Sequence, residues 1–133
     1  MHYLIDTQIL LWFQSNDPEL DQSTRAILID GKNQIYVSYA SLYEIVIKLK
    51  IGKLPNFHVS VESVVEVAIQ DKIKFLPITI SHLVSYDKIP LYAEHRDPFD
   101  RLILAVALSN SLPIITSDAK FGFYRSLVEV IEV

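Results

Sequence analysis

The stretch YLIDTQILLWF, residues 3–13, runs from Tyr3-Leu4-Ile5 straight into Asp6 and then into a second apolar segment. PIITSD, residues 113–118, has the same plan, an apolar start closed by Asp118 after Thr116 and Ser117. An apolar run without polar alternation suits a central strand of a parallel sheet, because side chains on both faces must meet a helix. Residues 2–5, 35–38, 73–78, 113–117 and 127–133 all have strand length and strand composition, and the last, interrupted by Glu129 and Glu132, reads as an edge strand. Between them lie helical patterns at 7–13, 21–30, 41–51, 61–72, 81–88 and 98–110, with Gly31 and Gly52 closing the second and third. This alternation predicts an α/β fold of three layers, α/β/α, around a mainly parallel five-stranded sheet with right-handed crossovers. Ligands on such a sheet bind beyond the carboxyl ends of the strands. Residues 41–51 and 102–108 are apolar on nearly all sides, so both helices are expected to be buried against the sheet or a partner.

The 133 residues suit a single domain, 1–133, and hydrophobic and charged contents of 50% and 21% suit a packed core rather than a disordered chain. No apolar run reaches the approximately 20 residues of a membrane span and no export signal opens the chain, so a cytoplasmic protein without a membrane partner is expected. With no cysteine, disulfides, thiolate metal sites and thiol nucleophiles are excluded, and any metal must bind oxygen or imidazole. A net charge of −4 argues against holding nucleic acid through a basic surface, although Lys48, Lys50 and Lys53 form one local cluster and His95, Arg96 and Arg101 another. GxGxxG, P-loop, GxSxG and HExxH patterns are absent, which removes the dinucleotide, NTPase, serine-hydrolase and zincin classes.

Acids fall where the fold would gather them. Asp6 and Asp118 follow the first and fourth strands, Glu44 sits in the second turn of a helix that follows the second strand, and Asp100 sits in the first turn of the helix opened by Asp97-Pro98. Each also has a capping explanation: Asp6, Asp97 and Asp118 as N-caps, and Ser41-Leu42-Tyr43-Glu44 as a capping box. Capping does not require such acids to share one sheet edge. Two carboxylates about 4 Å apart repel by about 4 kcal/mol at an effective dielectric near 20, so a cluster takes up protons or recruits a cation. Mg²⁺ or Mn²⁺ fits a carboxylate site without cysteine, and phosphodiester hydrolysis is the chemistry such an ion serves.

The four blocks YLIDTQILLWF, SYASLYEIVIKLKIGKL, HRDPFDRLILAVAL and PIITSDAKF together resemble a PIN domain of the VapC-like toxin type, from Tyr3 to about Tyr124. The resemblance implies a metal-dependent endoribonuclease of a toxin–antitoxin pair, acting on RNA as a homodimer and silenced by a cognate antitoxin. It further implies that Asp6, Glu44, Asp100 and Asp118 are the catalytic acids. Asp6, Asp100 and Asp118 would hold the metal, Glu44 would position water, and Thr7 and Thr116 would support the carboxylates. Spacing to Ala105–Leu108 and to Asp118 selects Asp100 over Asp97, which is left as a helix cap.

Bare carboxylates repel phosphates, so Lys48, Arg96 and Arg101 are the candidate substrate-binding cations; the competing expectation pairs Lys48 with Glu44 and Arg101 with Asp97. His2, His58, His82 and His95 read as surface or locally bonded imidazoles, with His95 nearest the acids in sequence. Trp12, Tyr43 and Phe99 read as core or interface residues rather than base-stacking platforms. A mean hydropathy of +0.27 and the apolar excess of residues 41–51 predict a covering chain, expected as a homodimer, to which the resemblance adds an antitoxin segment laid along a hydrophobic groove. The alternative function is a catalytically silent PIN-like module that binds RNA or protein; a nuclease acting on DNA is a third.

Overall fold

The computed structural model describes all 133 residues. Its five strands are β1 (His2–Ile5), β2 (Gln34–Ser38), β3 (Lys74–Leu76), β4 (Ile114–Thr116) and β5 (Val130–Glu132), in the order β3-β2-β1-β4-β5. Every pairing is parallel. The helices are α1 (Thr7–Ser15), α2 (Gln22–Ile29), α3 (Tyr39–Lys50), α4 (Val61–Gln70), α5 (Ile80–Tyr86) and α6 (Pro98–Asn110), with a 3-10 turn at Ala119–Tyr124.

The unalternating runs are the central strands, as their composition requires. Leu4 and Ile114 enter one core with Ile103, Leu104 and Val106 of α6 and with Phe121 and Tyr124. Their neighbours Ile5 and Ile115 enter the opposite core with Ile9 and Leu10 of α1, Ile45 of α3 and Val64 of α4. These two cores, one on each face, make the three layers. Burying an aliphatic side chain of this size contributes about 1.5–3 kcal/mol, so the paired Ile and Leu residues of β1 and β4 anchor the sheet. As its interrupting glutamates predicted, β5 is an edge, and β3 is the other.

Three local features depart from the sequence-based expectation. Helix α3 starts at Tyr39, because β2 ends on Ser38, whose hydroxyl accepts from the Ala40 amide at 3.0 Å. The capping box expected at Ser41 is therefore not formed; Ser41 lies inside the helix with its hydroxyl buried and unpartnered. Within this chain α3 leaves a face uncovered, with Tyr43 62% and Tyr39 47% exposed, which is the face the expectation assigns to a partner. The α6 expectation fares differently, since Ile103 to Ala107 are all buried. At α5 a capping box unseen in the sequence forms, with the Thr79 hydroxyl accepting from the His82 amide and the His82 ring accepting from the Thr79 amide. No helix is long and apolar enough to cross a membrane.

Candidate active site

Since β1 and β4 are parallel neighbours, the residues that follow them emerge side by side. Asp6 N-caps α1, its Oδ1 accepting from the Ile9 amide at 3.0 Å. The hydroxyl of Thr116, the last residue of β4, donates to Asp6 Oδ2 and accepts from the Asp118 amide at 3.0 Å. Thr116 thus ties the two strand-end aspartates together from beneath. Asp118 caps the 3-10 turn through the Lys120 amide.

Two helices supply the remaining acids. Glu44 of α3 accepts from the Thr7 hydroxyl at 2.6 Å through Oε1 and pairs with Lys48 Nζ at 2.7 Å through Oε2. Asp97 caps α6, accepting from the Phe99 amide at 2.8 Å, and this fixes the rotation of the first turn that carries Asp100. Asp100 Oδ2 lies 2.9 Å from His95 Nε2. Asp6, Glu44, Asp100 and Asp118 line one open cavity of about 260 Å³ that also touches Lys48, Asp97 and Ser117.

Proton affinity in the cavity follows from its walls. Burial pushes the Asp6 carboxyl up to about 7; hydrogen bonds from Thr116 and the Ile9 amide pull it down, and the negative charges of Asp100 and Glu44 add to the rise. Asp100 is also pushed up to about 7, first by burial and then by Asp97, Glu44 and Asp118. Burial holds His95 below its usual range. A site whose carboxyls resist ionisation in isolation, and whose donors are hard oxygens, fits a divalent cation. Ligand atoms of His95, Asp100 and Asp118 lie within 4.8 Å of one another, and Asp6 opens onto the same cavity.

Of the residues singled out from the sequence, the cavity brings together Asp6, Thr7, Glu44, Lys48, Asp100 and Asp118, with Thr116 behind them. Lys48 meets Glu44, the i, i+4 pairing weighed as its alternative. Arg101 is a correction. It is buried, and its Nη2 donates to the His95 carbonyl, so it neither lines the cavity nor pairs with Asp97. The reason is helical: once Asp100 faces the cavity, the next residue lies about 100° round the helix and turns toward the core. Arg96 is exposed and donates to the Ala93 carbonyl at 3.0 Å. Tyr43 and Phe99 meet edge to face, 5.6 Å between centroids.

Tyr124 and Ser117 were missed. Tyr124, bonded to His95 at 2.7 Å, has no signal in the sequence, because its proximity depends on the path of the 3-10 turn. Ser117 had one, its place between Thr116 and Asp118.

Solved structures share this architecture over essentially their whole length. VapBC2 from Rickettsia felis, bound to a DNA fragment from its promoter, is matched with a TM-score of 0.74 at 14% identity, covering 100% of this chain and 99% of that one. VapBC-1 from nontypeable Haemophilus influenzae is matched with a TM-score of 0.67 at 18% identity, over 99% and 98% of the two chains. For FitAcB from Neisseria gonorrhoeae the values are 0.62 and 21%, over 99% and 97%. Comparison with curated protein sequences gives no significant match. The family model described as PIN domain matches residues 3–125, a span that contains Asp6, Glu44, Asp97, Asp100 and Asp118 of the cavity, and the chain belongs to the PIN domain family.

Proposed function

We propose that the protein is a metal-dependent endoribonuclease, the VapC-like toxin of a toxin–antitoxin pair, acting in the cytoplasm. The observation that carries the nuclease reading is the meeting of Asp6, Glu44, Asp100 and Asp118 in one polar cavity at the carboxyl ends of β1 and β4. The toxin reading is supported by the fold's likeness to proteins solved as VapBC assemblies. Asp6, Asp100 and Asp118 would hold Mg²⁺ or Mn²⁺. When bound, such an ion polarises a phosphoryl oxygen and makes water a better nucleophile near neutral pH.

The chain's own groups do the rest. The Thr116 hydroxyl holds Asp6 Oδ2, and through the Asp118 amide it fixes the spacing of two ligands. Glu44, held at both oxygens by Thr7 and Lys48, is set to orient the attacking water at the cavity wall. Lys48, half-buried at the same wall, offers positive charge to a phosphate in a cavity otherwise negative. Arg96, exposed nearby in sequence, remains a second phosphate contact in this reading.

The test is cleavage by the full chain of structured and single-stranded RNAs, with DNA of the same sequences, in Mg²⁺, in Mn²⁺ and in chelator. RNA cut only with metal supports the reading. RNAs bound but uncut would leave the silent PIN-like module, and preferential cutting of DNA would change the substrate. Within the same assay Asp100→Asn is expected to lower cleavage on the order of a thousandfold, the several kcal/mol that a metal ligand contributes. Asp97→Asn keeps an N-cap oxygen and is expected to stay within a few-fold of wild type. Equal losses from the two, with both folded, would overturn Asp100 as the third acid.

The expected partners are a second copy of the chain and an antitoxin. Besides Tyr39 and Tyr43 on α3, helix α5 exposes Ile80, Leu83 and Val84 at 81%, 56% and 56%, a row of aliphatics left facing solvent. Light scattering at micromolar concentration is expected to give a homodimer, and Leu83→Asp, which adds a charge to that row, to give a monomer. A wild-type monomer would count against the homodimer, and a Leu83→Asp dimer against α5 as its face.

A further inference from the structure

His95 is buried yet held at three points. Its Nδ1 lies 2.7 Å from the Tyr124 hydroxyl, its Nε2 lies 2.9 Å from Asp100 Oδ2, and its carbonyl accepts from Arg101 Nη2. Counting hydrogens gives these bonds a direction. The Tyr124 side chain is fully buried, and the acceptor within reach of its hydroxyl is His95 Nδ1. Reversing that bond would strand the phenolic hydrogen away from water, which costs the full desolvation of a buried donor. Tyr124 therefore donates to Nδ1. With Nδ1 committed as an acceptor, the ring hydrogen sits on Nε2, 2.9 Å from Asp100 Oδ2. No protein group donates to Asp100 Oδ1.

We propose that His95 is a positioning residue of the acidic site, locked as the Nε2–H tautomer by the Tyr124 hydroxyl and tethered through its carbonyl by Arg101. In that state it commits Asp100 Oδ2 and leaves Oδ1 available to a divalent cation. The inference rests on the reading of Asp6, Asp100 and Asp118 as the metal-holding residues. It also gives Arg101 and Tyr124 a part in the site although neither lines the cavity. Groups that orient metal ligands in this way govern affinity strongly, typically tenfold or more on removal. The same geometry admits a rival: His95 Nε2 lies close enough to the oxygens of Asp100 and Asp118 to be a ligand itself. Ligation requires Nε2 to be without hydrogen, so the two roles differ at one observable proton.

The experiment is nitrogen-15 NMR of the histidine rings in the full chain, metal-free and then with Mg²⁺, together with Mn²⁺ affinity by calorimetry for wild type, Tyr124→Phe, His95→Gln and His95→Ala. Expected are a wild-type His95 protonated on Nε2 before and after Mg²⁺, and mixed tautomers in Tyr124→Phe, which keeps the ring packing. Mn²⁺ affinity is expected to fall about tenfold in His95→Ala and a few-fold in Tyr124→Phe, with partial recovery in His95→Gln, whose amide retains an N–H donor. A wild-type Nδ1–H tautomer, loss of the Nε2 hydrogen on adding Mg²⁺, or wild-type Mn²⁺ affinity in folded Tyr124→Phe and His95→Gln would each overturn the proposal. A wild type that binds neither ion would instead overturn the metal reading, and the tautomer alone would then decide whether His95 orients Asp100.

Discussion

Asp6→Asn is expected to lower RNA cleavage on the order of a thousandfold and, at pH 8 without metal, to raise the melting temperature by several degrees. The two effects have one cause. Asp6 is buried at the floor of the cavity, near the charges of Asp100 and Glu44, so at that pH its charge is held against burial and like-charge repulsion. Asparagine removes the charge and keeps the oxygen that caps α1 through the Ile9 amide. Its amide nitrogen meets the Thr116 hydroxyl where Oδ2 accepted a hydrogen, and losing that bond costs about 1 kcal/mol, less than the relief of an unpaired buried charge. Calorimetry in chelator, run beside the cleavage assay, checks both halves. A variant that is inactive and melts lower would mean that activity was lost through misfolding, and Asp6 would lose its support as a ligand.

In chelator, the stability of the wild type is expected to fall as pH rises from about 5.5 to 8. Asp6 and Asp100 have carboxyls pushed from an ordinary 3.8 to about 7 in the fold. Between those values the native state binds more protons than the unfolded chain, so the slope of unfolding free energy against pH is negative. This contribution is complete below the unfolded value and is lost as pH passes through 7. A rise of about 3 pH units in one carboxyl corresponds to on the order of 4 kcal/mol, and the two carboxyls titrate as a pair in one cavity, so the sum is smaller than twice that. Millimolar Mg²⁺ is expected to flatten or reverse the slope, because a cation bound to the native carboxylates displaces the protons. Melting temperatures that stay level or rise with pH in chelator would show that these carboxyls ionise without strain, removing the electrostatic argument for the cation.

The sheet was readable because burial on both faces imposes a simple pattern. Tyr3-Leu4-Ile5 and Pro113-Ile114-Ile115 lack polar alternation, and β1 and β4 are indeed central, while Glu129 and Glu132 mark β5 as an edge. Boundaries were less legible where a neighbour decided them. Ser41, with Glu44 three residues on, reads as the cap in sequence, and only the point where β2 leaves the sheet selects Ser38. Asp97-Pro98 left no such choice, since proline at the first helical position suits one frame, and α6 begins where expected.

The acids of the cavity were legible for the same reason, since strand ends and helix starts follow from local pattern and a parallel sheet gathers them on one side. By itself the sequence therefore determined the α/β architecture, the strand-end positions of Asp6 and Asp118 and the capping of α6. Tertiary structure decided what those acids touch: Thr116 beneath Asp6, Thr7 on Glu44, and His95 between Tyr124 and Asp100. It also decided that Arg101, adjacent to Asp100 in the chain, serves the core side and not the cavity. Local pattern reports which face of a helix or strand is apolar, because that is a property of spacing. Which polar group meets which across the fold depends on the relative rotation of elements packed against one another, and that is set by the shape of the whole core.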